Sequence, residues 1–102
     1  MNLYKYLCET KKEFVLSKQM LRSGTSIGAN VREGLNAESS ADFVHKLAIS
    51  QKEADETLYW LELLKETEYL TDNEFNSIHN DCTEILKIIR SIIITTKQKN
   101  KK

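Results

Sequence analysis

The stretch "FNSIHNDCTEILKIIRSIIITT", Phe75 to Thr96, decides the fold class. Phe75, Ile78, Cys82, Ile85, Ile89, Ile92 and Thr96 step 3-4-3-4-3-4, a spacing that keeps one seam of an α-helix facing a partner helix. "TDNE" at Thr71 to Glu74 matches the capping-box pattern, which predicts a helix over about 72–97. Lysines at its far end suit the negative end of the helix dipole.

Working back along the chain, Ser39 and Asp42 form a plausible capping pair for a helix over about 40–68. Phe43, Leu47, Ala54, Leu58, Leu61 and Leu64 fall on one face of it, the expected core face. Ile49, Trp60 and Leu63 form a second apolar patch beside and behind that face, with His45 and Glu56 among them. A helix in a simple monomeric bundle needs one stripe, so the second predicts a surface buried between subunits. The bland alternative is that Trp60 merely rims the core.

A third helical pattern covers about 11–34, with Leu16, Met20, Ile27, Val31 and Leu35 on one face. The three glycines of the chain all lie in "LRSGTSIGANVREG", Leu21 to Gly34. Mid-helix glycine costs roughly 1 kcal/mol against alanine, so Gly24 and Gly28, spaced GxxxG on that face, are expected to be helix-packing positions. Gly34 is the expected left-handed C-cap. No strand precedes the stretch and neither nucleotide-binding fingerprint fits it. Arg22, Ser26, Asn30 and Glu33 line the opposite side, either as a solvated face or as a hydrogen-bonding strip against another subunit. The predicted oligomer interface is therefore Arg22, Ser26, Asn30, Ile49, Glu56, Trp60 and Leu63, with Arg22 or Ser26 meeting Glu56 across it. At the start, "NLYKYL" predicts only a helical stub over about 2–9, about 12 Å long against about 36–42 Å for the others.

Composition agrees with one all-α domain over residues 1–102. The chain is 40% hydrophobic and 29% charged, with no proline to break a helix. No apolar run approaches a membrane span and the N-terminus lacks a signal-peptide layout, so a cytoplasmic protein without membrane association is expected. Net charge is zero, but the terminal "KQKNKK" (97–102) holds Lys97, Lys99, Lys101 and Lys102 and no acid. Residues 1–96 then carry eleven bases against fifteen acids, a net −4 that suits a phosphate backbone poorly. Any RNA or DNA contact is expected at the four tail lysines.

Nothing in the sequence assembles a catalytic or metal site. His45 and His79 fall on different helices, and His79 with Cys82 supplies two ligands where zinc needs more. Glu53 and Glu56 lack the Glu-x-x-His arrangement of di-iron bundles. Cys8 and Cys82 have no redox spacing and are expected as reduced thiols. The expectation is a non-enzymatic protein with no cofactor, no metal and no small-molecule substrate.

"LSKQMLRSGTSIGANVREG", followed by "SSADFVHKLAISQKEADETLYWLELLKETEYL", resembles the four-helix-bundle proteins of the 23S rRNA intervening-sequence (S23) family. The resemblance runs from Tyr4 into the last helix. It implies an up-down-up-down four-helix bundle that assembles as a homo-oligomeric ring, typically a pentamer. Some members are encoded within intervening sequences of bacterial 23S rRNA genes. Similar bundles serve as reverse-transcriptase accessory proteins in diversity-generating retroelements, so a nucleic-acid-binding or accessory role is the alternative reading. Family members usually carry a full first helix, and "NLYKYL" matches only its end. The expected architecture is thus a bundle with a shortened first helix and an apolar groove along the three long ones.

Overall fold

The computed structural model describes residues 2–11 and 13–100. Helix α1 (Asn2–Lys5) runs directly into a π-helical turn (Tyr6–Thr10), and α2 (Val15–Leu35), α3 (Ser40–Glu66) and α4 (Asp72–Asn100) follow. The predicted stub is thus two short pieces in direct succession, the second closed by Lys11 N–H reaching back five residues to the Tyr6 carbonyl at 3.2 Å. Leu7 from this turn is fully buried and anchors the stub to the core.

Helix α2 starts at Val15, four residues later than predicted, because Glu13 intervenes. Its buried carboxylate accepts from the backbone N–H of Val15 (3.2 Å), Leu16 (3.1 Å) and Ser17 (2.7 Å), satisfying donors that an earlier start would have used internally. The α3 start is as expected: Ser39 is extended and its Oγ accepts from Asp42 N–H at 3.0 Å. Both halves of the α4 capping box form, with Glu74 N–H donating to Thr71 Oγ1 at 3.2 Å and Thr71 N–H to Glu74 Oε1 at 2.9 Å. That backbone bond holds the Glu74 carboxyl below its ordinary pKa. Between α3 and α4 the chain makes a Schellman turn. Tyr69 N–H bonds the Leu64 carbonyl and Glu68 N–H that of Lys65, with Glu68 in the left-handed region (φ 66) where glycine is usual.

Short connections force α2, α3 and α4 to run alternately up and down. Helix α3 lies in the middle, packed along α2 on one side and α4 on the other, while α2 and α4 share no extended contact. One core cluster, Leu7, Met20, Leu61, Leu64, Leu70, Phe75 and Cys82, fills the end where the stub sits. A second, Leu47, Ile89 and Ile93 with Ile27, Val31, Phe43 and Val44 beside it, fills the other end. The result is an all-α bundle with a short first helix, and the described residues include no strand. Among them no helix is long and apolar enough to cross a membrane.

The α4 seam departs from its prediction. The buried residues are Phe75, Cys82, Leu86, Ile89 and Ile93, whereas Ile85 and Ile92 are exposed. Ten residues of α4 are hydrophobic on neighbouring rows, and a 3-4 pattern beginning at Phe75 fits two rows about 100° apart beyond Cys82 equally well. Packing against α3 selects the row through Leu86. Leu35, assigned to the α2 core face, is 73% exposed: in that turn it is Gly34 that faces α3. Helix α4 also extends through Asn100, so Lys97 and Lys99 stand on a helix rather than in a loose tail.

Candidate functional site

Polar and small residues line the contact between α2 and α3. Ser23 and Ser50 are fully buried and Thr57 nearly so. Thr57 Oγ1 lies 2.9 Å from Ser23 Oγ, and Ser50 Oγ donates to the Ile27 carbonyl at 2.8 Å. These bonds tie the two helices together through directional contacts rather than through apolar area.

The glycines divide differently from the prediction. Gly28 is exposed, and a Cβ built there meets no atom within 4 Å, so it packs against nothing in this chain. Gly24 is half-buried. The close approach occurs at Gly34, where a Cβ would stand 3.3 Å from Lys46 Cβ and 3.5 Å from Phe43 Cδ1. Nor is Gly34 a left-handed cap: no glycine has positive φ, and α2 continues through Leu35 to cap at Asn36. The motif therefore does hold a packing glycine, at the position assigned to the turn.

At the outer edge of the α2–α3 contact, Arg22 reaches between two carboxylates. Its Nη2 donates to Glu56 Oε1, and its Nη1 lies 3.4 Å from Glu53 Oε2. The Glu56 hydrogen bond, ahead of the charges of both acids, raises the guanidinium pKa further above its ordinary value. Trp60 Nε1 also donates to Glu56 Oε1 at 3.4 Å, so one carboxylate oxygen gathers an arginine and an indole. The fork expected between subunits thus forms inside one chain. Glu53, absent from the predicted interface, completes it; its spacing of three from Glu56 was the available signal. Glu53 Oε2 is buried without a hydrogen-bond partner, with Arg22 supplying charge alone.

The rest of the predicted interface surrounds this cluster. Ser26 Oγ donates to the Arg22 carbonyl at 2.8 Å and Asn30 Nδ2 to the Ser26 carbonyl at 2.9 Å, so both bond back onto their own helix. Ile49, Trp60 and Leu63 are half-buried on the outward side of α3. Trp60 meets Tyr59 edge-on at 5.1 Å and also packs on the first core cluster. Four exposed isoleucines stand elsewhere, on α4: Ile85, Ile88, Ile92 and Ile94.

Residues 1–91, which include the whole Arg22–Glu53–Glu56–Trp60 cluster, match the family model of 23S rRNA-intervening sequence proteins. The chain belongs to this family. It is similar over 90% of its length to a protein of unknown function from the S23 ribosomal protein family of Bacteroides thetaiotaomicron VPI-5482, whose crystal structure was determined at 1.70 Å. Identity is 63%, the match covers 82% of that chain, and the TM-score is 0.89. No protein of curated function matches.

Within this S23-family chain, two of the four predicted nucleic-acid contacts lie among the described residues. Lys97 and Lys99 are both exposed, but two helical positions place them about 160° apart around α4. Lys101 and Lys102 lie outside the described residues. His79 stacks on Phe75 at 4.9 Å, and His45 is exposed on α3. Among the described residues no group of three or more His, Cys, Asp and Glu draws together. Cys82 is buried with Sγ 3.7 Å from the Ala54 carbonyl; burial, then the charge of Asp55, pushes its thiol pKa up. Such a thiol is a core residue rather than a nucleophile.

Proposed function

We propose that this S23-family chain is a non-enzymatic, homo-oligomeric bundle protein of the cytoplasm that assembles through its α2–α3 face. The observation that carries the reading is the cluster of Arg22, Glu56 and Trp60 beside half-buried Ile49 and Leu63. A pre-organised ion pair and indole bordering an apolar patch is the make-up of an interface hot spot. Arg22 keeps 49% of its side chain exposed and has donors left for a neighbouring subunit. The polar stripe on α2 and the apolar patch on α3 can meet head to tail, a heterologous contact that repeats around a closed ring, for which the family resemblance suggests five copies.

Light scattering on the purified chain tests the proposal. The wild type should have a multiple of the monomer mass. Trp60→Ala and Ile49→Lys should both fall toward monomer while keeping a helical circular-dichroism spectrum. A wild type that stays monomeric at high concentration defeats the proposal.

A further inference from the structure

The outward side of α2 carries an open hollow of about 630 Å³, lined by Ala29, Arg32, Glu33 and Asn36, with Lys46 of α3 at its edge. Ala29 lies nine residues, or about 180°, round α2 from Met20, which packs in the core beside Leu7 of the stub. The hollow therefore opens away from the bundle interior and from the stub. On α3, Ile49 lies the same nine residues from Leu58, which packs on that core, so it too is turned outward.

A ring whose axis runs along the helices relates its copies by rotation alone. Such a rotation moves every residue sideways and none up or down the bundle, so each residue meets residues of its own height on the next copy. Two contacts between α2 and α3 fix those heights. Ile27 is level with Ser50, whose Oγ donates to its carbonyl at 2.8 Å, and Glu33 is level with Lys46, 3.0 Å away. Counting from both along antiparallel helices, Ala29 is level with Ile49, and Asn36 with Asp42. The next copy thus brings an isoleucine to the smallest residue of the hollow, and an acid to within one turn of Arg32. Charge agrees with height. Lys46 is taken by Glu33 of its own chain, which leaves Arg32 without an acid among the described residues, and Asp42 pairs with no cation among them.

We propose that the ring axis runs along the helices and that the hollow is a socket for Ile49 of the next copy, with that copy's Asp42 on Arg32. The socket rests on the reading of the α2–α3 face as the assembly face, and gives that face a direction: α2 receives and α3 inserts. Because knob and socket are different surfaces, the contact closes rings of odd or even number alike.

Sedimentation of variants on either side of the contact, with circular dichroism to follow helix content, tests it. Ala29→Arg fills the socket and should weaken assembly about a hundredfold, as should Ile49→Lys, which spoils the knob. Each variant keeps the half that the other has lost. At high concentration an equimolar mixture should therefore yield one-to-one heterodimers and nothing larger. Arg32→Asp or Asp42→Arg alone should weaken assembly about tenfold, and the two together in one chain should restore it. Ala29, Arg32 and Asp42 are exposed, so changes there leave the fold intact. If Ala29→Arg assembles like the wild type while Trp60→Ala and Ile49→Lys fall apart, the socket is overturned and the α2–α3 proposal stands. The same follows from a mixture no more associated than its components, or from a double reversal no better than the singles. A monomeric wild type defeats both proposals.

Discussion

Toward α2, helix α3 presents Ser50, Glu53 and Thr57; toward α4 it presents Leu47, Ala54 and Asp55. On the α2 side the contact is held by hydroxyl bonds at two levels, by Arg22 across its edge, and by backbone approach at Gly34. On the α4 side it is mainly apolar, with Leu47 against Ile89 and Ile93, and with long ion pairs such as Arg90–Asp55 at 3.8 Å on its surface. The two sides divide the work of folding. Apolar burial supplies most of the driving force but is non-directional, so neighbouring rows of isoleucine can compete. Buried hydroxyls accept one register only, because a slip would leave them unpaired.

The largest effect should appear on the apolar side, where it also checks which α4 row is inside. Ile89 is 4% exposed and Ile88 is 56% exposed. Ile89→Ala should cost about 2–5 kcal/mol in urea unfolding, whereas Ile88→Ala should stay within about 0.5 kcal/mol in the monomer. Equal losses would mean that the apolar side does not choose between rows. The comparison would then lose one of its halves.

A second pair of variants probes the close approach on the polar side. Gly34→Leu must place atoms where Lys46 and Phe43 already stand, and overpacking of this kind typically costs about 1–3 kcal/mol. Gly28→Leu enters open space, and the better helix propensity of leucine should leave it neutral or more stable by up to about 1 kcal/mol. Melting temperatures of the two proteins, measured dilute to exclude assembly, make the comparison. If Gly28→Leu is the costlier change, the approach of α2 to its neighbours is at the wrong glycine.

Much of the fold was legible in the sequence because it rests on local rules. "TDNE" and Ser39 marked helix starts through groups that bond within one turn, and Leu47, Ala54, Leu61 and Leu64 marked the α3 core through periodicity alone. What stayed hidden depends on partners distant in sequence. Ser23, Ser50 and Thr57 look like surface residues until the helix packed against them is known. The α4 row was ambiguous because Ile85, Ile88 and Ile92 are as apolar as their buried neighbours. Gly34 was mistaken for a cap because a glycine near a helix end has two physical uses, and only the position of Phe43 and Lys46 separates them. In the candidate site, Arg22, Glu56 and Trp60 were identifiable as a group. That they meet within one chain was not, since spacing on two helices does not say whether the helices are covalently joined.

The smallest expected effect is the most specific to the polar side. Thr57 Oγ1 has one proton and two acceptors near it, Ser23 Oγ at 2.9 Å and the Glu53 carbonyl at 2.8 Å. Ser23 Oγ in turn lies 3.2 Å from the Met20 carbonyl. Two protons serve these three contacts, so two bonds form at a time: the relay runs in either direction, and each hydroxyl donates whichever way it runs. Thr57→Val keeps the shape and removes one member, which should cost about 1 kcal/mol by leaving Ser23 with a poorer set of partners. Ser23→Ala should cost a similar amount. The double variant replaces both hydroxyls by apolar groups and strands neither, so its loss should be clearly smaller than the sum of the single losses. Denaturant unfolding of all four proteins gives the coupling directly. Strict additivity would mean that each hydroxyl merely bonds its own helix, and the α2–α3 register would then depend on Ser50, Gly34 and Arg22 without this relay.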